Sequence, residues 1–281
     1  MTRRELMNAL IAAAEPACGA REAAAIARLV AEKRCGFTRA DLALDPGEEV
    51  VANGVEAMLF DLAAARPVQY ILGTADFYDL ELAVGEGVLI PRPETEELVR
   101  WILSDAVAGA ITPDAKMLDV GTGSGAIAVA LAKNLPGAHV VAIDNSPEAL
   151  RFARQNNERH GAGVEIVEAD MLALALDSEI FDVIVSNPPY IPTAERTAMA
   201  DNVVRHEPAS ALFVPDDDPL VFYRAIARFA RRSLSPNGAL YFEIHETLAT
   251  ETAELLAAEG FSEIELRRDI HDKPRMIRCR L

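Results

Sequence analysis

The sequence predicts an α/β fold in which a mostly parallel sheet follows a small helical domain, and three observations support this. Apolar residues recur at helical spacing over residues 1–74. From residue 116 onward, short apolar strands alternate with amphipathic helices. A glycine-rich turn joins the first of these strands to its helix. This alternation predicts a sheet covered on both faces, with ligands at the carboxyl ends of its strands.

The first segment, residues 1–74, is predicted to be a helical bundle. Leu6 and Leu10 begin the helical pattern, which continues in Ala-rich surroundings. Thr38 and Asp41 are suited to the start of a helix, because their side chains accept hydrogen bonds from the free N–H groups there. Nothing in this pattern points to catalysis, so the chemistry is expected downstream.

Residues 75–92 are predicted to form a β-hairpin that connects the two domains. Residues 76–84 alternate well enough for a strand, a Gly-Glu-Gly turn follows, and residues 88–90 form the second strand. An amphipathic helix is expected after Pro91, with Glu94 or Thr95 as its cap.

Residues 93–281 are predicted to hold the sheet and the reactive site. The expected strands are 117–120, 139–143, 164–167, 181–186, 239–244, 264–266 and 276–279. The expected helices between them are 126–135, 147–160, 219–234 and 248–259. This order is typical of a Rossmann-like domain.

Composition restricts the class of protein. The chain has 281 residues, 51% of them hydrophobic, which suits one large domain or two smaller ones. It has no run of about 18 apolar residues and no signal-peptide pattern, so we expect no membrane span. Cys18, Cys35 and Cys279 are far apart, and the histidines lack metal-ligand spacing. We therefore expect no metal site and a reduced, cytoplasmic setting.

The net charge indicates the kind of partner. It is −17, from 44 acidic and 27 basic residues, and such a chain repels bare nucleic acid unless it carries a basic patch. The arginines near residues 224–232 fit the solvated face of a helix better than such a patch. A protein partner or a small ligand is expected instead.

The turn after the first strand reads Asp-Val-Gly-Thr-Gly-Ser-Gly over residues 119–125. Its candidate ligand-binding residues are Gly121, Thr122, Gly123, Ser124 and Gly125. Dinucleotide folds usually show G-x-G-x-x-G, whereas this spacing is G-x-G-x-G behind an acid. Asp119 would be awkward near a pyrophosphate but suits a ligand with an ammonium group. S-adenosylmethionine has such a group and no phosphate, while a plain tight turn is the alternative.

Two further strand ends complete the predicted cofactor site. Asp144 ends the next strand, where a carboxylate can accept from both hydroxyls of a ribose. Asp170 and Met171 end the third strand, where an adenine ring would lie. The alternatives are a helix-capping or surface carboxylate at Asp144 and ordinary loop residues at 170–171.

The loop Asn-Pro-Pro-Tyr at residues 187–190 is the most informative motif. A planar –NH2 nitrogen is a poor nucleophile and must be held and aimed. The Asn187 side-chain carbonyl and the Pro188 backbone carbonyl can each accept one N–H, while Pro189 stiffens the loop. Tyr190 offers a flat face to a planar group. The motif predicts a clamp for an amide or aromatic amine, the alternative being a turn that only ends a strand.

Taken together, these residues resemble the release factor glutamine methyltransferase family, also called the PrmC or HemK family. The resemblance covers nearly the whole chain and depends on four strings, namely residues 67–73, 89–99, 119–128 and 181–191. Many class I methyltransferases share the glycine motif, and some DNA adenine-N6 methyltransferases share Asn-Pro-Pro-Tyr. The string Ile-Pro-Arg-Pro-Glu-Thr-Glu at 90–96 narrows the match most.

The resemblance implies a class I S-adenosylmethionine-dependent methyltransferase domain over residues 93–281. It implies that the substrate is the glutamine of the Gly-Gly-Gln motif in class-1 peptide chain release factors, methylated on its side-chain nitrogen. It also implies that residues 1–74 help to hold the release factor. By position, Gly121 to Gly125, Asp144, Met171 and Asn187 would contact the cofactor. Residues 187–190 would hold the glutamine, and Asn187, Pro188 and Tyr190 would be catalytic.

The chain also departs from the family pattern at two places. Residues 214–220 replace a Gly-Gly-x-Asp-Gly-Leu-like stretch, and residues 243–248 replace Glu-Ile-Gly-x-x-Gln. Arg92 and Glu94 are expected near the site, and Arg92 has a structural ion pair as its alternative.

Other functions stay open at this stage. They are a ribosomal protein uL3 glutamine methyltransferase, a DNA adenine-N6 methyltransferase, an inactive cofactor-binding protein and a nucleotide-dependent oxidoreductase.

Overall fold

The computed structural model describes residues 1–51, 53–173 and 179–281, which form two compact units. The first unit comprises Met1–Thr74 with Met199–His206, and the second comprises Ala75–Ala198 with Glu207–Leu281. No helix in the described ranges is both long and apolar enough to cross a membrane.

Short helices make up the first unit, as the sequence predicts. They are α1 (Arg3–Cys18), α2 (Ala20–Cys35), α3 (Arg39–Leu44), α4 (Val55–Ala63) and α5 (Val68–Leu72). Thr38 and Asp41 form a reciprocal capping box at the start of α3, which confirms the predicted cap. Leu6, Leu10 and Val30 are fully buried among the helices and form the core of this unit.

The second unit holds the strands and most of the other helices. Its strands are β1 (Thr74–Phe77), β2 (Leu80–Ala83), β3 (Lys116–Val120), β4 (His139–Asp144), β5 (Glu165–Glu168), β6 (Phe181–Ser186), β7 (Ile191–Pro192), β8 (Phe213–Val214), β9 (Leu234–Glu243), β10 (Ser262–Arg268) and β11 (Pro274–Arg280). Its helices are α6 (Pro93–Val107), α7 (Ala126–Asn134), α8 (Pro147–His160), α10 (Val221–Ser233) and α11 (Ala249–Ala258), while α9 (Asp201–His206) belongs to the first unit.

The connecting hairpin differs from the prediction in its strands. β1 and β2 pair across a turn at Tyr78 and Asp79, which have φ angles of 47° and 61°. Two successive positive φ angles are typical of a type I′ turn, which fits the twist of a hairpin. The predicted single strand over 76–84 is therefore wrong, because it is divided at this turn. Residues 88–90 form no strand.

The start of α6 also differs from the prediction. Neither Glu94 nor Thr95 caps this helix. Arg92 is the N-cap residue and Pro93 follows at the first helical position, where a missing N–H costs nothing. The Thr95 hydroxyl is consequently not needed for capping and bonds elsewhere.

Seven strands form the central sheet in the order β10-β11-β9-β6-β3-β4-β5. β5, β4, β3, β6 and β9 are parallel neighbours, whereas β11 runs antiparallel to both β9 and β10. In the sheet, β4 lies on one side of β3 and β6 lies on the other, although β4 follows β3 directly in sequence. The carboxyl ends of β3 and β6 therefore flank the crevice where ligands bind in such sheets.

Both faces of the sheet are covered, as the alternation predicts. Along β6, Val183 and Val185 pack with α6 and α7, whereas Phe181 and Ile184 pack with α10. All four side chains are at most 1% exposed. Burying an aliphatic or aromatic side chain contributes about 1.5–3 kcal/mol, so these two cores hold β6 in register beneath the loop that follows it.

Candidate active site

A cleft lies at the carboxyl ends of β3, β4 and β6. Its charged lining residues in the described ranges are Asp144 and Arg92. The predicted site residues that line it are Gly121, Thr122, Gly123, Ser124, Asp144, Met171, Asn187 and Pro189. The structure thus brings residues from four separate sequence segments into one cleft.

The glycine-rich turn lets the backbone form the floor of this cleft. Gly121 has a φ of 74°, which favours glycine, and its N–H donates to the Ile143 carbonyl at 2.9 Å. A Cβ atom at Gly121 would lie 2.7 Å from the Met171 Cε. Gly125 serves a different purpose, because a Cβ there would meet Ala153 of α8 at 3.3 Å. Gly121 therefore opens the cleft, whereas Gly125 allows close helix packing.

Asp144 is held in place by two backbone donors. Its Oδ2 accepts the Gly123 N–H at 2.9 Å, and its Oδ1 accepts the Ser146 N–H at 2.9 Å. Each carboxylate oxygen retains a further lone pair that can accept from a ligand hydroxyl. The Gly123 N–H is the kind of donor that a pyrophosphate would need, and here it is already engaged. The turn is therefore better suited to a hydroxyl-bearing ligand than to a phosphate.

Asp119 lies under the turn and does not line the cleft. Its Oδ2 accepts from the Thr122 hydroxyl at 2.6 Å and from the Ala128 N–H at 3.2 Å, so it joins the turn to α7. Its Oδ1 is buried without a hydrogen-bond partner among the described residues. Burial raises the pKa of Asp119 to about 7, and the nearby charge of Asp144 adds to this effect.

Met171 and Asp170 occupy different positions, although they are adjacent in sequence. Met171 lines the cleft beside Gly121, where its thioether can pack against a ring. Asp170 is not among the described lining residues, and its Oδ1 accepts the Leu172 N–H at 2.9 Å. Asp170 therefore behaves as the ordinary loop acid of the alternative interpretation.

The Asn-Pro-Pro-Tyr loop follows β6 and divides between the cleft and the interior. Asn187 and Pro189 line the cleft. Pro188 is buried, and no donor in the described part of the chain bonds to its carbonyl. The Tyr190 hydroxyl donates to Glu243 at 2.9 Å, and its ring meets the His245 ring edge-on at 5.9 Å. Burial raises the pKa of Tyr190 well above its ordinary value, so this hydroxyl stays protonated.

A buried polar network lies behind this loop. Glu243 ends β9 and is 1% exposed. The Thr95 hydroxyl donates to its Oε2 at 2.6 Å, and the Asn187 Nδ2 donates to the Thr95 Oγ1 at 3.2 Å. Burial raises the pKa of Glu243, and the hydrogen bonds from Thr95 and Tyr190 oppose that rise. The sequence interpretation missed both Thr95 and Glu243 as residues of the site.

Arg92 lies at the cleft in an ion pair. Its Nη2 is 2.6 Å from the Glu207 Oε1, and the other Glu207 oxygen accepts the Ile90 N–H at 3.1 Å. Glu207 is 5% exposed, so this pair is largely withdrawn from water. The structural ion pair considered for Arg92 is therefore present. Glu94 is partly exposed and lies 3.9 Å from His271.

Both segments that depart from the family pattern contact the 3₁₀-helix Thr193–Ala198, which follows the Asn-Pro-Pro-Tyr loop. From the 214–220 segment, the Asp216 Oδ1 accepts the Ala194 N–H at 2.8 Å. From the 243–248 segment, the His245 Nε2 lies 3.2 Å from the Glu195 Oε2. These two contacts hold the segment that follows the Asn-Pro-Pro-Tyr loop.

The cleft fits S-adenosylmethionine on three local observations. Gly121 is open where a side chain would collide with Met171, Asp144 presents free lone pairs, and the donor that would attract a phosphate is engaged. The parallel sheet with its antiparallel β11, together with this turn, defines a class I S-adenosylmethionine-dependent methyltransferase. This confirms the fold class and the cofactor expected from the sequence.

Comparison with known proteins agrees with this class. Residues 111–278 match the family described as a methyltransferase domain. The chain also resembles two solved structures in fold. A methyltransferase from Pyrococcus furiosus gives a TM-score of 0.51 at 19% identity, over 82% of this chain and 98% of that one. The Thermus thermophilus 16S rRNA N2 G1207 methyltransferase, solved with AdoMet and guanosine, gives 0.52 at 19%, over 74% of this chain and 49% of that one.

Curated relatives identify the family. Release factor glutamine methyltransferase from Flavobacterium psychrophilum is 44% identical, and the match covers 85% of each chain. The enzyme of the same name from Bacteroides thetaiotaomicron is 40% identical over 91% of this chain and 92% of its own length. The chain belongs to the release factor glutamine methyltransferase family. The resemblance noted in the sequence is thereby confirmed.

Proposed function

We propose that the protein transfers a methyl group from S-adenosylmethionine to the side-chain amide nitrogen, N5, of the glutamine in the Gly-Gly-Gln motif of class-1 peptide chain release factors. The observation that carries this proposal is that Asn187 lies in the same cleft as the glycine turn and Asp144. A clamp for –NH2 and a site for a methyl donor would then lie within one cleft. Membership of a family named for this activity adds support.

Some residues of the cleft would hold the cofactor, and others would hold the substrate amide. When bound, S-adenosylmethionine supplies a methyl group on a sulfonium, so that transfer forms a nitrogen–carbon bond, breaks a carbon–sulfur bond and releases one proton from nitrogen. The cofactor would be held by Gly121, Thr122, Gly123, Ser124, Asp144 and Met171. Asn187 and Pro188 would each accept one N–H of the amide, and the Tyr190 ring would meet its plane.

Positioning accounts for most of the catalysis in this proposal. An amide nitrogen has a delocalised lone pair, so the site must fix its direction of attack. The Asn187 and Pro188 carbonyl dipoles would also face the positive charge that develops on nitrogen. No strong base is needed before attack, since the nitrogen becomes acidic as it is alkylated.

The helical unit of residues 1–74 is proposed to hold the release factor. Three large apolar side chains of this unit are strongly exposed, namely Leu44, Val51 and Phe60, with relative exposures of 85%, 83% and 75%. Exposed apolar groups of this size are frequent at protein contacts. With release factors as partners, the protein would work in the cytoplasm, where translation ends.

A labelling experiment tests the proposed reaction. The full chain is incubated with methyl-labelled S-adenosylmethionine and a class-1 release factor, and the modified residue is located by mass spectrometry. We expect one methyl group on the glutamine of Gly-Gly-Gln and none on a release factor that carries Gly-Gly-Ala. Asn187→Ala should abolish transfer while cofactor binding weakens only modestly.

The same experiment separates the alternatives. Parallel reactions contain ribosomal protein uL3 or duplex DNA in place of the release factor. Label on uL3 or on DNA adenine, with none on the release factor, would replace the proposed substrate. The net charge of −17 argues against DNA, and Arg92 is the one basic residue among the described lining residues.

A further inference from the structure

In the buried network behind the Asn-Pro-Pro-Tyr loop, Glu243 determines which group donates and which accepts in each hydrogen bond. An ionised carboxylate only accepts hydrogen bonds, and Glu243 receives two, from the Thr95 hydroxyl at 2.6 Å and from the Tyr190 hydroxyl at 2.9 Å. Both donors use their single hydroxyl proton in these bonds. Burial raises the pKa of Glu243, whereas these two hydrogen bonds and the positive charge of Arg275 lower it and so favour the ionised form that accepts from both hydroxyls.

The Thr95 hydroxyl in turn determines the orientation of the Asn187 side chain. Since the one hydroxyl proton of Thr95 points at Glu243, its Oγ1 can only accept from other groups. The Asn187 side chain lies 3.2 Å away and must therefore turn its Nδ2 towards Thr95. The opposite orientation would place two acceptors against each other with no proton between them. The nitrogen and oxygen of this amide are thus assigned by the chemistry of the network.

We propose that Thr95 and Glu243 are positioning residues that fix the orientation of the Asn187 amide, so that its Oδ1 rather than its NH2 group meets the –NH2 group of the substrate. This inference rests on the proposed function, in which Asn187 accepts from a planar –NH2 group. An amide that rotated freely would present a donor to a donor for part of the time. The network removes that wrong orientation before the substrate arrives.

A comparison within the same fold separates positioning from simple packing. Tyr241 donates to Asp105 at 2.6 Å in a second buried pair of a hydroxyl and a carboxylate. The Asp105 carboxylate also accepts from the Arg278 Nη1 at 2.6 Å, and Arg278 does not line the cleft. The chain from Glu243 ends on Asn187, which lines the cleft. The Glu243 network is therefore placed to act on the substrate.

Substitutions at Thr95 test this role. Thr95→Val keeps the shape of the side chain but removes the hydroxyl, and Thr95→Ala also removes it while leaving room for water beside Glu243. We expect kcat for release factor methylation to fall about 10- to 100-fold in both, the size expected for one misdirected hydrogen bond. The KM for the release factor should stay unchanged, because the release factor is proposed to be held by the helical unit of residues 1–74. Thr95→Ser restores the hydroxyl and should recover most of the rate.

A matched control accounts for lost stability. Thr252 is fully buried in α11, and its hydroxyl donates to the Leu248 carbonyl at 2.7 Å, outside the cleft. Thr252→Val therefore removes a buried hydroxyl bond of similar length without touching Asn187. We expect it to lower the unfolding temperature as Thr95→Val does but to keep the kcat of the parent protein. Cofactor affinity, measured by calorimetry, should be similar in the two variants.

The outcomes are distinguishable from failure of the proposed function. If the parent protein methylates the release factor and Thr95→Val is as fast as Thr252→Val, the positioning role is refuted. A Thr95→Ser variant as slow as Thr95→Val would also refute it, since the hydroxyl would then not be the active feature. If the parent methylates another –NH2 substrate instead, the proposed function fails, and the same variants measured on that substrate still decide the role of Thr95.

Discussion

The close approach of Gly121 to Met171 leads to a prediction with a quantitative control. In Gly121→Ala, the new Cβ would lie 2.7 Å from the Met171 Cε, so the flexible thioether must move. The φ of 74° also strains any side chain there, which costs about 1–2 kcal/mol of the free energy of unfolding. Displacing Met171 removes a sulfur contact worth about 0.3–1.5 kcal/mol, so cofactor affinity should fall about two- to tenfold.

Gly163 offers the matched control. It has the same φ of 74°, and a Cβ there would meet nothing within 4 Å. Gly163→Ala should therefore show the backbone strain in urea unfolding but bind S-adenosylmethionine, measured by calorimetry, as the parent protein does. If both variants bind the cofactor equally well, the Gly121–Met171 contact is not part of the cofactor site and the reasoning fails.

Three further predictions concern the cleft and the helical unit. Asp144→Ala should weaken cofactor binding about 10- to 100-fold in calorimetry through lost charge-assisted hydrogen bonds, whereas Asp170→Ala should not; equal losses would contradict the assignment. The pKa of Asp119 is about 7 when folded and near 3.8 when unfolded, so its stabilising contribution is complete below pH 3.8 and is lost as the pH rises through 7. Urea unfolding of the cofactor-free protein should show this decline, by about 1.4 kcal/mol per pKa unit, with less of it in Asp119→Asn. Phe60→Ser should raise KM for the intact release factor and leave kcat unchanged, and an unaltered KM would remove Phe60 from the contact.

Much of the fold could be predicted because local pattern and tertiary structure agree in it. The strand Phe181–Ser186 and the helix Pro147–His160 match their predicted bounds. The hairpin turn at Tyr78 and Asp79 could not be predicted, because neither residue is the glycine or asparagine that usually marks positive φ angles. Tertiary context alone holds that turn in place.

The site was predictable only where its residues lie in short motifs. The glycine turn and Asn187 are signalled by their neighbours in sequence. Glu243 and Thr95 are not, because their hydrogen bond joins residues 148 positions apart. Asp119 is a residue for which the short motif misleads. An acid next to a glycine motif suggests a ligand contact, but the Asp119 side chain instead joins the turn to α7.

The position of β9 between β6 and β11 has a consequence for synthesis of the protein. β9 supplies Glu243 and pairs with β6, which is made well before it, and with β11, which is made after it. On the ribosome, the glycine turn and the Asn-Pro-Pro-Tyr loop emerge first, without the carboxylate that directs Asn187. Long-range strand pairing of this kind forms late in folding. The enzyme therefore acquires an oriented site only after β9 has been made and has paired with β6.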